Sequence, residues 1–176
     1  FWELMAFSSV FLVWYRKSNS SVNAGFLYLL WHVAGGLILL AGIILQYSLS
    51  GDLTIQYSPF HGWWPADPQS LASFLILIGL IVNAAVPPFG AWLPDAYPAA
   101  TVTGAVFMSA FTTKTAVYAL IRICAGSEIL IVLGVVMAIY GVVYAVLEND
   151  ARRLLAYHII SQVGYMVAGV GLGTHM

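Results

Sequence analysis

Between Glu128 and Glu148 the chain runs from Ile129 to Leu147 without one charged residue. About 20 apolar residues cross the hydrocarbon core of a bilayer, and this run is one of several. Backbone groups find no water in that core, so such runs must be helices unless they close into a barrel. Barrel strands alternate apolar and polar residues over about ten positions, whereas these runs are continuous. Of the 176 residues 61% are hydrophobic and 7% charged, against about 25% charged in soluble domains, which excludes an ordinary water-soluble domain. Six Lys and Arg face seven Asp and Glu, so no basic surface is available for nucleic acid.

The expected fold is therefore an all-α polytopic membrane protein, a single transmembrane domain over residues 1–176 with about six spans. They fall at 1–15, 26–49, 71–97, 102–124, 129–147 and 153–176. The third is broken at Pro87-Pro88, because proline removes a donor and clashes with the preceding turn. The first and last read as cut short. A chain that opens on Phe1 with helix-interior residues reads as a piece of a longer protein, and nothing in it resembles a signal peptide. The cluster Ala34-Gly35-Gly36 suits close helix contact.

Short cytoplasmic loops collect Lys and Arg. Arg16 and Lys17 lie in the first loop and Arg152 and Arg153 in the fifth, while Arg122 alone marks the fourth. The first, third and fifth loops are thus expected on the cytoplasmic side. Tyr57, Phe60, Trp63 and Trp64 in the second loop suit an interfacial aromatic belt. Cys124, the single cysteine, has no partner for an internal disulfide and reads as a small apolar residue at a helix end.

Lys114 stands at the middle of the fourth span, too deep for easy snorkelling. A central lysine costs from roughly 2.5 to more than 10 kcal/mol. That cost is offset by an acid partner, a water-filled cavity or loss of the proton, and each of these equips the residue for proton exchange. The alternative is a fixed ion pair that holds two helices together. Glu3 is the one acid that falls within a span and is the expected partner. Asn83, one turn before Pro87-Pro88, is placed to bond backbone groups freed by the break or to bridge waters; such groups at depth are tolerated only in a cavity or buried in protein. His158, Ser161, Gln162 and Tyr165 share one helical face, and the cost of polar groups against lipid points that face into the bundle. A histidine there exchanges protons near neutral pH. His32, early in the second span, is a further candidate, with a hydrogen-bonded core histidine as the alternative. Glu148 and Arg152, four apart, read as an interfacial pair, and Arg122 as a snorkelling side chain. There is no metal-ligand cluster, no nucleophile beside a base and no phosphate-binding glycine loop.

The stretch Asn83-Ala84-Ala85-Val86-Pro87-Pro88-Phe89-Gly90-Ala91-Trp92-Leu93-Pro94-Asp95-Ala96-Tyr97, followed by Thr112-Thr113-Lys114-Thr115-Ala116-Val117-Tyr118, resembles the antiporter-like membrane subunits of respiratory complex I. The Mrp cation/proton antiporters and the membrane-bound energy-converting hydrogenases carry the same pattern, most specifically the block Trp92, Leu93, Pro94, Asp95, Ala96 with a lysine in the next helix. Phe1 to Met5 is similar to the family's fifth helix, and Asp150 to Tyr157 with Ser161 to Tyr165 to the start of its tenth. The resemblance implies a protein of about fourteen helices in two inverted repeats, of which this piece is the fifth to the tenth. It implies that Glu3 is the fifth-helix glutamate and Lys114 the eighth-helix lysine of a proton half-channel. The family's seventh-helix lysine, nine residues before the tryptophan, falls on Asn83; Arg152 stands where a lysine is common and His158 where a serine is common.

An amide does not take and pass a proton as an amine does. Three readings follow: Lys114 is the single central base, the site serves sodium with Asn83 as an oxygen ligand, or this half is structural. The expected function is proton or sodium/proton translocation through Glu3, Lys114 and His158, within a redox-driven complex such as an NADH-quinone oxidoreductase or membrane-bound hydrogenase. In that setting the chain performs no redox catalysis, holds no cofactor and works beside other membrane subunits in a bacterial or archaeal cytoplasmic membrane. The alternatives are one component of an Mrp-type sodium/proton antiporter, a scaffold with buried ion pairs, or a stand-alone transporter of a small solute.

Overall fold

The computed structural model describes residues 2–52, 54 and 60–173; Tyr57 of the expected aromatic belt lies outside them. Seven helices follow in order, α1 (Trp2–Trp14), α2 (Asn19–Ser50), α3 (Pro68–Asn83), α4 (Leu93–Ala99), α5 (Val102–Ile123), α6 (Glu128–Leu147) and α7 (Ala151–Leu172). By length and composition four of them, α2, α5, α6 and α7, suffice to cross a membrane, while α1 and α3 are shorter apolar helices. With its 32 residues, α2 is about 48 Å long at 1.5 Å per residue, well beyond the roughly 30 Å hydrocarbon core.

Helix starts carry their own chemistry. At α2 the Ser18 hydroxyl accepts from Ser21 N–H at 3.1 Å while the Ser21 hydroxyl accepts from Ser18 N–H at 3.0 Å, a reciprocal cap that moves the start to Asn19 rather than residue 26. Pro68 stands in the first turn of α3, where its missing N–H costs nothing, so α3 begins before residue 71. Thr101 caps α5 through Gly104 N–H at 3.1 Å, and Asp150 caps α7 through Arg152 N–H at 2.9 Å.

The expected proline break is corrected. The α3 helix ends at Asn83, four residues ahead of the first proline. Ala85 adopts a left-handed φ of 60°, its N–H bonds Val82 O at 3.2 Å, and Val86 N–H bonds Ile81 O at 3.0 Å. These crossed bonds are the Schellman terminator, normally built on glycine, so the helix is stopped by its own C-terminal bonding. Pro87 and Pro88, joined by a cis bond, follow in the linker to α4.

The tightest seam joins α6 to α7. A Cβ added at Gly164 would lie 2.6 Å from Ala138 N, one at Gly141 2.5 Å from Ser161 N, and one at Gly171 2.6 Å from Ile131 N. Only glycine lets these backbones approach so closely, the usual basis of helix association in a bilayer. On the other side α1, α2, α3 and α5 enclose Tyr28, Leu77, Leu80, Trp92, Met108 and Leu120, all buried.

Candidate functional site

The end of α3 lies inside the protein. Asn83 is 1% exposed and Ala84, Ala85 and Val86 are fully buried, so the carbonyls released there need internal donors. Trp92 supplies one: its indole Nε1–H donates to Val82 O at 3.3 Å. Asn83, expected to serve those freed groups, turns back instead and donates from Nδ2 to Gly79 O at 3.2 Å within its own helix. Gly90 permits the turn, because a Cβ there would run into Ala85 O.

Around this helix end stand four aromatic rings. Tyr28 and His32, one turn apart on α2, have ring centroids 4.1 Å apart, and Trp92 lies 4.6 Å from His32 and 5.2 Å from Tyr28. Tyr97 lies 6.1 Å from Trp92 and donates its hydroxyl to Met108 O at 3.1 Å. His32 is 2% exposed and stands beside Asn83; Ser9 and Thr112 flank the Tyr28 hydroxyl, and Thr112 and Thr113 flank that of Tyr97.

What sets this cluster apart is incomplete bonding. Tyr28 OH, His32 Nε2, Asn83 Oδ1 and Thr113 Oγ1 are buried without a well-formed hydrogen bond among the described residues; their polar neighbours are one another, Ser9, Thr112 and Tyr97. Each such atom costs about 1–3 kcal/mol, and groups of this kind are normally completed by ordered water or an ion. At one end of the cluster both oxygens of Glu3 are likewise buried and unpartnered. The Glu3 carboxylate lies against Gly36, one turn beyond His32 on α2, and neighbouring Gly35 packs against Val82 and Asn83. At the other end Thr113 is followed by Lys114, half-buried in the middle of α5 and free of any hydrogen bond or ion pair among the described residues.

The expected Glu3–Lys114 ion pair is therefore not formed. Glu3 stands at one end of the row of neutral polar groups, whereas Lys114 is tied to the other end only as the residue that follows Thr113 on α5. Of the polar stripe of α7, Ser161 is buried with its hydroxyl unpartnered, whereas His158, Gln162 and Tyr165 are exposed among the described residues. His158 lines a crevice of about 330 Å³ between α5 and α7, away from His32 and Asn83. Of the motif loop, Trp92 and Pro94 are buried, while Asp95 is exposed and meets Arg153 at 3.8 Å. Arg153, not Arg152, pairs with Glu148, at 3.5 Å. Arg122 reaches Tyr118 OH at 3.2 Å. In the second loop Trp63 and Trp64 are exposed as a belt requires, but Phe60 is buried and its N–H bonds Ser127 Oγ at 2.9 Å.

The transmembrane model of the NADH:quinone oxidoreductase/Mrp antiporter family matches residues 1–176. Hydrogenase-4 component B of Escherichia coli strain K12 is 29% identical over 182 residues, which cover 97% of this chain and 27% of that protein. A Na(+)/H(+) antiporter subunit of Bacillus subtilis strain 168 is 33% identical over 183 residues, 98% of this chain and 23% of that one. The chain thus spans about a quarter of the length of these curated relatives. Among solved structures, the membrane-bound sulfane sulfur reductase, an archaeal respiratory membrane complex, contains a chain that superimposes with a TM-score of 0.83 at 27% identity, over 96% of this chain and 37% of that one.

Proposed function

The chain belongs to the NADH:quinone oxidoreductase/Mrp antiporter transmembrane family, and on that premise we propose that it carries part of a path moving protons, or sodium against protons, across an energy-converting membrane. It is an integral membrane protein. One observation carries the reading: the row of buried polar atoms without well-formed hydrogen bonds from Glu3 through His32, Asn83 and Tyr28 to Thr113, the residue that precedes Lys114 on α5. Glu3 and Lys114 are the protonatable ends, His32 the relay at the centre, and Asn83 a fixed dipole that orients water or binds a cation through Oδ1. His158 has no part in this row.

The names of the relatives support a place beside other membrane subunits, in a redox-driven complex or an Mrp-type antiporter of a bacterial or archaeal cytoplasmic membrane. The scaffold alternative weighed from the sequence rests on buried ion pairs that lock helices together. Among the described residues both ion pairs involve Arg153 and lie at the exposed rim, which favours transport.

The test is ion flux by the full-length protein in its complex, reconstituted into proteoliposomes. Lys114→Ala lowers flux by about tenfold or more if Lys114 exchanges protons. Lys114→Arg fails as well, because a guanidinium holds its proton too tightly for relay. Normal flux from an assembled Lys114→Ala complex overturns the assignment.

A further inference from the structure

The α4 helix has seven residues and contains Pro98, too short to be stable alone, and its last carbonyls have no helical partner. Two arginines from distant loops supply donors. Arg16 Nη1, between α1 and α2, donates to Pro98 O at 2.8 Å. Arg152 Nη1, at the start of α7, donates to Pro98 O at 3.3 Å and to Ala100 O at 3.4 Å. Arg153 adds a bridge from Asp95 on α4 to Glu148. Exposed ion pairs count for little, but charged donors on backbone carbonyls are the stronger kind of hydrogen bond.

This helix carries the wall of the polar row. Trp92 at its start packs on His32, and Tyr97 sits beside Thr112 and Thr113. On the outer side of α4 an open polar vestibule of about 690 Å³ is lined by Arg16, Ser20, Asn23, Asp95, Asp150 and Arg153 among others. The vestibule meets α4 at Pro94, Asp95, Pro98 and Ala99, while Leu93, Ala96 and Trp92 are fully buried and Trp92 packs on His32.

We propose that Arg16 and Arg152 are positioning residues that latch α4 as a closed partition between the vestibule and the buried polar row, with Arg153 as a secondary tie. The vestibule is the route by which water and ions reach the row, and the latch sets how often the partition opens. This rests on the ion-transfer reading above only for its consequence in flux.

The experiment uses the full-length protein in membranes. Ala96→Cys, with Cys124 and any other cysteine replaced by alanine, reports access to the partition through its reactivity with a charged, water-soluble maleimide. Arg16→Gln with Arg152→Gln, which removes all three charged hydrogen bonds to α4 and Ala100, raises the labelling rate by about tenfold or more, tenfold being the scale for one such bond. Without the cysteine, the same pair lowers coupled flux, and Arg16→Lys with Arg152→Lys, which keeps a charged donor at each carbonyl, restores both readouts most of the way. Unchanged labelling in an assembled Gln variant overturns the latch, as does lost flux without a change in labelling. Raised labelling in a protein whose flux ignores Lys114, His32 and Asn83 alike leaves the latch standing and removes the ion-transfer reading.

Discussion

A methyl group on Gly36 would occupy the place of the Glu3 carboxylate. That absence of a side chain is what seats the acid against α2, one turn from His32. Gly36→Ala displaces a flexible carboxylate and nothing rigid. Since alanine is favoured over glycine in a helix by roughly 1 kcal/mol, thermal stability of the purified protein should hold or rise while ion flux falls by about tenfold. Equal flux would mean that Glu3 does not act from this position. Glu3, Lys114, His32 and Asn83 were legible in the sequence because each is an expensive residue inside an apolar run. Tyr28, Thr112 and Thr113 were not. Tyrosine and threonine are unremarked in membrane helices, and only packing shows that their hydroxyls converge on the end of α3. The placement of His158 is a different matter. Helical period assigns Ser161, His158, Gln162 and Tyr165 to neighbouring positions on the helix, but it cannot say which edge of that face meets the bundle, and here only Ser161 does.

Among elements, the α6–α7 pair makes the sharpest demand on sequence. Gly134 and Gly141 on one helix, and Gly164 and Gly171 on the other, recur every seven residues, so both helices present one flat seam. Gly164→Leu drives a branched side chain into the backbone of Ala138 and should destabilise the purified protein by about 3 kcal/mol, the upper end of overpacking, read as a lowered unfolding temperature. Gly169→Leu, five residues on, points its Cβ into open space and should leave that temperature unchanged. A similar loss from both variants would refute the seam. The spans themselves were readable from hydropathy, yet the stop of α3 was not. Prolines are the conspicuous breakers, whereas the terminating residue is Ala85, in a conformation that glycine usually takes. Nothing local announces it. The bonds from Val86 N–H and Trp92 Nε1–H that complete the helix end come from residues beyond the break.

For the whole molecule, the distribution of charge and the geometry agree on sidedness by independent routes. The sequence puts Arg16, Arg152 and Arg153 in alternate loops, and the structure gathers those three on α4 and the residue that follows it, Pro98 and Ala100 accepting two of them and Asp95 the third. At the opposite end Phe60 N–H bonds Ser127, and Gly126 N–H bonds Val170 O, tying the second and fourth loops to the end of α7. Each of α2, α5, α6 and α7 thus runs once between the arginine end and the Ser127 end. Because short loops rich in Arg and Lys stay on the cytoplasmic side, Lys17→Cys in a cysteine-free full-length protein should react with an impermeant maleimide only in inside-out vesicles. His61→Cys, exposed in the second loop, should react only in vesicles of the opposite orientation. Labelling of both from one side would break the alternation and with it the cytoplasmic placement of the loops that hold Arg16, Arg152 and Arg153; labelling of each from the reversed side would keep the fold and invert its orientation.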